Sequence, residues 1–264
     1  MKKILILIAY VSFITACGNK PKVFEVSGKI TNATNKKVLL QYLIWGAERP
    51  IVVDSTSLQK DGSFILSTAY GKEESMYELV FDSSKTVLII NDNEKVLLTL
   101  DVTNYKSYTI NGSKASTALH ELLNDYSIQY LKLVSLMQQA DTIQHSLATD
   151  STKTVVRLEK DRQLQKVNEL VTTAFKNTTS PALQCYLMAK AFATMPISQI
   201  QQLNNVAVTQ HANHSGLVFL KSIILKEVEK QKTTEMTNLK RQRDSIMRID
   251  TFKKPIRIVD TIVK

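Results

Sequence analysis

Four histidines and two cysteines are the first side chains to consider as metal ligands or nucleophiles. His211 and His214 are three positions apart, a spacing that can place two imidazoles beside one metal ion, although zinc needs at least a third ligand. The residues around this pair are polar or small, which is typical of a loop between helices. We therefore expect no metal and no cofactor at this pair or at the remaining histidines, His120 and His145.

Cys185 is the one thiol far from the amino terminus, and its neighbours are Leu183, Tyr186, Leu187 and Met188. A reactive thiol needs a cationic and partly exposed environment, because the thiolate is the nucleophile. The apolar neighbours favour a buried, inert cysteine over a reactive one.

The sequence contains no clear motif for acid–base catalysis or phosphate binding. Glu73 and Glu74 lie in a predicted turn, where solvated charge is the usual case. The chain has only seven glycines and no glycine-rich phosphate loop or nucleophile elbow. Trp45, the single tryptophan, precedes Gly46 at a predicted strand end, where core packing or a half-buried hairpin cap is more common than an exposed ring that binds a sugar or a partner. We predict no catalytic residue and no enzyme activity.

The amino terminus carries two lysines followed by an apolar run from Ile4 to Ile14, which is too short to span a bilayer. Ile14-Thr15-Ala16-Cys17 follows this run and resembles the lipobox of bacterial lipoproteins. The resemblance implies that residues 1–16 are a cleaved signal peptide and that Cys17 carries a lipid anchor in a membrane. Residues 17–22 would then form a polar tether. The alternative is an ordinary secretory signal that ends by chance in a cysteine.

Short β-rich runs separated by turn residues occupy residues 23–112. Asp61-Gly62 and Asn111-Gly112 are examples of these turns, which recur every eight to twelve positions. Seven or eight such runs predict an antiparallel β-sandwich or open barrel, with the last strand between Tyr105 and Ile110. The fold class is therefore α+β, an N-terminal antiparallel β-sandwich followed by a helical region.

The helical region is predicted over residues 113–250, where apolar residues recur at helical spacing. Ser113 and Ser116 are candidate N-caps of its first helix. Further helices are predicted over residues 152–176, after Ser180-Pro181, and from about residues 197 and 215. The inward faces of the first two helices are predicted from the apolar residues Leu119, Leu122, Leu123, Tyr126, Tyr130, Leu133, Val134, Met137, Val155, Leu158, Val167, Leu170, Val171 and Phe175. The end of the last helix is polar and is expected to lie in solvent, before a basic tail at residues 251–264.

The N-terminal half contains the segments Phe24-x-Val26-x-Gly28-x-Ile30, Val53-Asp54-Ser55, Lys60-Asp61-Gly62-Ser63-Phe64 and Ile110-Asn111-Gly112-Ser113. In these segments it resembles a domain of unknown function found in Bacteroidetes lipoproteins. In that family a thioredoxin-like domain with a Cys-x-x-Cys motif often follows the helices. This chain has no such motif, and we expect it to lack that domain and its chemistry.

The C-terminal residues 240–264 contain eight cations and three aspartates. Such a segment is attracted to anionic lipid, anionic glycan or an acidic envelope protein, and nucleic acid is not expected at this location. The tail alternates apolar and polar residues from Ile256 to Asp260, a pattern suited to adding a strand to a sheet edge. We predict a contact element here; the alternative is a solvated helix end with a flexible tail.

Seven of the twelve aspartates precede Ser or Thr, namely Asp54, Asp82, Asp141, Asp150, Asp244, Asp250 and Asp260. Several resemble the motif that Bacteroidetes export systems O-glycosylate, so modification of at least one is a possibility that the sequence raises. The alternative is local structure, because these dipeptides also favour turns and helix caps.

The functional prediction is a non-catalytic lipoprotein of the cell envelope that acts as a binding or interaction module. The alternative is an accessory to a thiol-disulfide oxidoreductase system in the periplasm. The tether contains Lys20 and Lys22 and no acid. Surface lipoproteins of the phylum tend to carry an acidic signal there, so the resemblance implies a molecule on the outer membrane that faces the periplasm.

Overall fold

The computed structural model describes residues 22–82 and 85–251, with side chains described up to residue 244. The chain divides into two compact units, Met1–Leu187 and Met188–Lys264. The predicted signal peptide, Cys17 and the tail from residue 252 onward lie outside the described residues. Within the described residues, no helix is both long enough and apolar enough to cross a membrane.

Eight strands form two four-stranded sheets in the first unit. They are β1 Val23–Thr31, β2 Lys37–Leu43, β3 Ile51–Ser57, β4 Ser63–Ala69, β5 Met76–Phe81, β6 Lys85–Ile90, β7 Lys95–Asp101 and β8 Thr109–Asn111. The first sheet has the order β4-β1-β7-β8 and the second β3-β2-β5-β6. All pairs are antiparallel except β1 with β7. The predicted β-sandwich is confirmed, with one parallel pair inside it.

Alternating side chains of the two sheets fill the core of the sandwich. In β1, Phe24, Val26 and Ile30 are buried, while the residues between them are partly or fully exposed. Val26 lies in register with Leu66 of β4, which is also buried. Because side chains alternate across a strand, this pattern places one face of each sheet against the other.

Gly28 lies where β1 and β7 pair in parallel. A methyl group at this position would overlap the carbonyl oxygen of Leu98 in β7. Gly62 has φ +84 in the turn before β4, and its carbonyl accepts from the N–H of Ile30 at 2.9 Å. These two glycines therefore allow β1 to sit between its neighbours on both sides.

The prediction of a strand from Tyr105 to Ile110 is too long. Asp101 accepts a hydrogen bond from the N–H of Thr103 and starts a short 3₁₀ turn over residues 102–104. Only Thr109–Asn111 pairs with β7. The Tyr105 ring packs near Phe81, with centroids 6.3 Å apart, so the intervening residues close the sandwich instead of extending the sheet.

Three helices follow in the first unit: α1 Lys114–Gln144, α2 Asp150–Asn177 and α3 Pro181–Ala191, whose last residues belong to the second unit. Ser113 caps α1 and Thr149 caps α2, each with its side chain accepting a backbone N–H three residues on. Proline opens α3, as the sequence predicts.

The helices α1 and α2 pack side by side along a seam of buried residues. The buried residues of α1 include Leu119, Tyr126 and Leu133, which are seven positions apart. Gln163 of α2 lies in the seam and donates its Nε2 to the backbone oxygen and the Oε1 of Gln129, both at 2.9 Å. A buried polar contact of this kind fixes the register of the two helices.

Part of the predicted inward face is wrong. Met137 of α1 is 53% exposed, and Val155 and Leu158 of α2 are 60% and 56% exposed. In α2, Val156 and Gln163 are the buried residues instead. The apolar residues form more than one stripe on each helix, and packing buries only one of them.

The second unit contains α4 Ile197–Gln210 and α5 Ser215–Thr251. The buried residues of α4 include Ile200 and Ala207, and those of α5 include Leu217, Leu220 and Ile224. These two helices contact each other. The starts predicted near residues 197 and 215 agree with these bounds.

Candidate functional site

Two helices of the first unit begin beside one end of the second sheet, and each receives a carboxylate from that sheet. Asp92, just after β6, accepts from the N–H of Ala115 at 2.9 Å through Oδ2. Glu74, just before β5, accepts from the N–H of Ala182 at 3.2 Å and from the hydroxyl of Ser180. Negative groups stabilise the first turn of a helix, because its N–H groups lack partners and the helix dipole is positive there.

Each of these two helices also has its own serine at its start, whose hydroxyl oxygen accepts a backbone N–H. Ser113 accepts from the N–H of Ser116 at 2.9 Å, and Ser180 accepts from the N–H of Leu183 at 3.0 Å. Asn91 links the loop after β6 to the loop before β5, because its Oδ1 accepts from the N–H of Ser75 at 2.5 Å. The prediction that Glu73-Glu74 is a solvated pair in a turn is therefore wrong for Glu74, which caps a helix more than one hundred residues away in sequence.

A buried network of two serines joins α1 to β6. Ser116 Oγ accepts from the N–H of Ile90 at 2.8 Å, and Ser113 Oγ lies 3.2 Å from the carbonyl oxygen of Ile90. The two hydroxyl oxygens are 2.5 Å apart. Ser113 is the N-cap, and Ser116 binds the sheet, so the two candidate caps predicted from the sequence have different roles.

A cleft of about 650 Å³ lies beside these helix starts. Its charged lining residues are Glu74, Asp92, Lys114, Glu121 and Asp125. Two of the four carboxylates, those of Glu74 and Asp92, are held by helix N–H groups. The cleft is therefore acidic, and helix N–H groups hold half of its carboxylates.

Cys185 is fully buried in α3, as predicted. Burial raises the pKa of its thiol, and the nearby negative charges of Glu73 and Glu74 raise it further. Both effects oppose the thiolate, which is the reactive form. The structure thus brings three of the singled-out residues together, in an arrangement that suppresses thiol chemistry.

The histidines do not converge. His211 and His214 lie in the loop between α4 and α5, where the N–H of His214 donates to the carbonyl oxygen of His211 at 3.1 Å. The ring of His120 packs on Tyr108, with centroids 3.8 Å apart, and burial lowers its pKa. His145 is exposed and lies 3.7 Å from Asp141. Within the described residues, no group of three or more His, Cys, Asp or Glu side chains could hold a metal ion.

Trp45 lies in the turn after β2 and is half-buried. Its indole N–H is shielded from solvent and has no hydrogen-bond partner among the described residues. Gly46, with φ +85, allows the turn that follows. The ring is therefore neither fully exposed at a loop mouth nor part of the main core of the sandwich.

The aspartates of the Asp-Ser and Asp-Thr pairs have structural partners at several positions. Asp82 accepts from the hydroxyl of Thr34 at 2.6 Å and from Lys85 Nζ at 2.9 Å. These hydrogen bonds lower the pKa of Asp82, and Thr34 contributes most. Asp150 lies in the first turn of α2, after its cap Thr149. These aspartates therefore have a structural role, and glycosylation at the Asp-Ser and Asp-Thr pairs stays a prediction.

The last part of α5 has the most exposed surface of the second unit. Every residue from 229 to 244 is exposed, including Met236 at 71% and Leu239 at 58%. The cations of this stretch are Lys230, Lys232, Lys240, Arg241 and Arg243. The predicted solvent-exposed helix end is present, and it starts after the half-buried Val228.

Comparison with known families bears on the first unit alone. Residues 24–119 match the family model described as Domain of unknown function (DUF4369). The match spans the sandwich and ends inside α1, after Ser113 and Ser116. It covers about a third of the chain. No curated protein and no solved structure matches the chain.

The carboxylate caps are the structural residues that sequence reasoning missed. A carboxylate that caps its own helix lies within a few residues of the cap, so local spacing reveals it. Asp92 and Glu74 act across 23 and 108 residues. The pairing of a Ser N-cap with Glu74 or Asp92 could not be found without knowing that β5 and β6 are neighbours.

Proposed function

We propose that this chain is a non-catalytic, lipid-anchored interaction module of the bacterial cell envelope. The lipid on Cys17 would hold it at the membrane, and the exposed length of α5 would contact a partner. The observation that carries the proposal is the exposure of α5 on every face from residue 229 to residue 244.

A helix that packs against nothing gains little stability in water. Isolated helices are marginal because nucleation is costly, and most helices in proteins are stabilised by a buried apolar face. Leu217, Leu220 and Ile224 supply such a face at the start of α5. The exposed stretch has instead Met236 and Leu239, with five cations and three acids in the residues from 229 to 244. These residues suit a partner that covers two apolar side chains and carries negative charge.

A site-specific photo-crosslinker at Met236, in the full chain expressed in its own envelope, tests the contact. We expect one discrete adduct, because a defined partner covers a defined face. Neutralising Lys240, Arg241 and Arg243 with glutamine should weaken the adduct, and raising the salt concentration should weaken it too, since exposed charges are screened. The matched control is Thr233→Ala with Thr237→Ala, because both hydroxyls donate to carbonyl oxygens of their own helix. Absence of any adduct at Met236 would contradict the proposal.

The anchor and its orientation are tested separately. Cys17→Ser should abolish incorporation of labelled fatty acid and release the chain into the soluble periplasmic fraction. We further propose that the molecule faces the periplasm from the outer membrane. Proteinase added to intact cells should then leave it whole, and should degrade it once the outer membrane is opened. Degradation in intact cells would show the opposite orientation.

A role as an accessory to a thiol-disulfide oxidoreductase is the alternative. The burial of Cys185 and its raised pKa argue against direct exchange by this chain. An accessory would therefore have to act by binding the oxidoreductase. The adduct at Met236 distinguishes the two hypotheses, because its identification by mass spectrometry shows whether the partner carries a redox motif.

A further inference from the structure

The edges of a β-sandwich carry backbone groups that must be satisfied, protected or paired. The strand orders make β4 and β8 the edges of the first sheet and β3 and β6 the edges of the second. These four edges differ in how the described residues protect them.

Asp54 joins the edges of β3 and β4. Its Oδ2 accepts from the N–H of Ser67 at 2.7 Å, and its Oδ1 accepts from the N–H of Ser55 at 2.8 Å. The N–H of Tyr70 donates to the carbonyl oxygen of Lys22 across the β1–β4 pair. The backbone N–H and C=O groups of even-numbered residues of β4 therefore face β1, and those of Ser67 face outward. A carboxylate that occupies an outward N–H blocks the addition of a strand on this side.

The edge of β8 is short and is covered by a helix. Only Thr109–Asn111 belongs to it. The hydroxyl of Thr117 in α1 lies 3.4 Å from the carbonyl oxygen of Ile110, which is the middle residue of this edge. The helix therefore covers the centre of β8.

The edge of β6 is different. The N–H of Asn91 donates to the carbonyl oxygen of Ser75 at 3.2 Å, so odd-numbered positions bond β5 and even-numbered ones face outward. Ile90 fits this pattern, because its N–H and carbonyl oxygen are bonded by Ser116 and Ser113. That leaves Thr86 and Leu88, whose outward N–H and C=O groups have no partner among the described residues.

Thr86 and Leu88 lie on either side of Val87. A two-fold axis at Val87 therefore places the outward groups of each residue opposite those of the other in a second copy. We propose that β6 pairs antiparallel with β6 of a second copy of this chain, with the two-fold axis at Val87. Thr86 then lies opposite Leu88 of the partner subunit, and Leu88 lies opposite the partner subunit's Thr86. In an antiparallel ladder, two such directly opposed pairs use all four outward N–H groups and all four C=O groups.

The charges of neighbouring strands are compatible with this self-pairing. Glu78 of β5 lies in register with Leu88, and Val80 lies in register with Thr86. Across the two-fold axis, the row from Glu78 through Leu88 continues to the partner subunit's Thr86 and then to the partner subunit's Val80. Lys85 is held by Asp82 at 2.9 Å and would lie opposite Ile89 of the partner subunit. No like charges are directly opposed. Directly opposed like charges would destabilise the ladder.

The proposed pairing uses residues of β6 and none of α5, so its test does not depend on the proposed function. The first variant is Thr86→Pro in the full chain, purified in detergent. Proline removes an N–H that the sheet itself does not use, and the Thr86 side chain is exposed. We expect the wild-type chain to be a dimer by light scattering at micromolar concentration and the variant to be a monomer, with a melting temperature within a few degrees of the wild type.

Cysteine pairing tests the register. A Thr86→Cys chain mixed with a Leu88→Cys chain should form a disulfide-linked dimer on mild oxidation, because these positions are directly opposed. Each variant alone should crosslink far less, and the unsubstituted chain provides the background. A wild-type monomer with no mixed disulfide overturns the proposal. Equal crosslinking by the single variants overturns the register, and a disulfide from the Thr86→Cys chain to a different envelope protein means that another strand occupies this edge.

Discussion

Replacing Ser116 with alanine should destabilise the first unit through a backbone group in another element. Ser116 is fully buried in the first turn of α1, and its Oγ accepts from the N–H of Ile90 in β6 at 2.8 Å. Ile90 is itself fully buried. Alanine leaves that N–H without a partner and without access to water. The helix keeps its own N-cap at Ser113, so the lost hydrogen bond is the one to Ile90.

The magnitude follows from the unsatisfied donor. A buried polar group that loses its partner costs about 1–3 kcal/mol. Alanine has a higher helix propensity than serine, which returns about 0.5 kcal/mol. We therefore expect Ser116→Ala to lower the free energy of unfolding by about 0.5–2.5 kcal/mol. Ser127→Ala is the matched control, because the exposed Ser127 hydroxyl donates only to Asn124 O of its own helix at 3.0 Å. Its change should be within about 0.5 kcal/mol.

Urea unfolding followed by circular dichroism gives the global change, and amide hydrogen exchange at Ile90 gives the local one. The two compact units can unfold separately, so the local readout assigns the effect to the first unit. Exchange at Ile90 should accelerate strongly in Ser116→Ala and remain unchanged in Ser127→Ala. If Ser116→Ala and Ser127→Ala have equal stability and equal exchange at Ile90, the serine junction does not hold α1 on the sheet.

Three further outcomes follow from the same structure. Gly28→Ala should cost about 3 kcal/mol or more of unfolding free energy in urea, because the methyl group overlaps Leu98 O; wild-type stability would contradict this. The pKa values of Asp82 and Asp101 are lowered by hydrogen bonds to the charged carboxylates, from Thr34 and Thr103 first. Their stabilisation is full above the unfolded pKa of about 4 and is lost as pH falls toward the folded pKa values. The melting temperature should therefore drop on acidification below about pH 4, and Asp82→Asn should flatten this drop; an unchanged pH profile in Asp82→Asn would refute its role. Cys185 should not react with an aromatic disulfide reagent until the chain is unfolded, because burial raises its pKa; rapid labelling of the native chain would show access that the structure lacks.

The strands could be predicted from sequence because their signal is local. Alternation in β1 and the Asp61-Gly62 turn depend on residues that are adjacent in the chain. Tyr105 is the exception. It has a high β-propensity, yet its ring is used to close the sandwich against Phe81, so propensity alone gives a strand that is too long.

The presence of the helices could also be predicted, whereas their buried faces could be predicted only in part. Both α1 and α2 carry apolar residues on more than one stripe, and the sequence does not say which stripe finds a partner. Val155 and Val156 illustrate this, because they are adjacent and chemically identical, yet Val155 is 60% exposed and Val156 is 8% exposed. The buried contact from Gln163 to Gln129 selects the seam, and it requires both helices to be in place.

The boundary of the β-domain is set by hydrogen bonds and not by the last strand. The sequence pattern places the end of the domain at Gly112, where the periodicity changes. The outward groups of Ile90, however, are bonded by Ser113 and Ser116, and Asp92 needs the N–H of Ala115. A sandwich that ended at Gly112 would expose these groups at its second sheet. The family match that continues to residue 119 spans the same stretch. The first turn of α1 is therefore part of the β-domain in physical terms, and the rest of α1 is the base on which α2 packs.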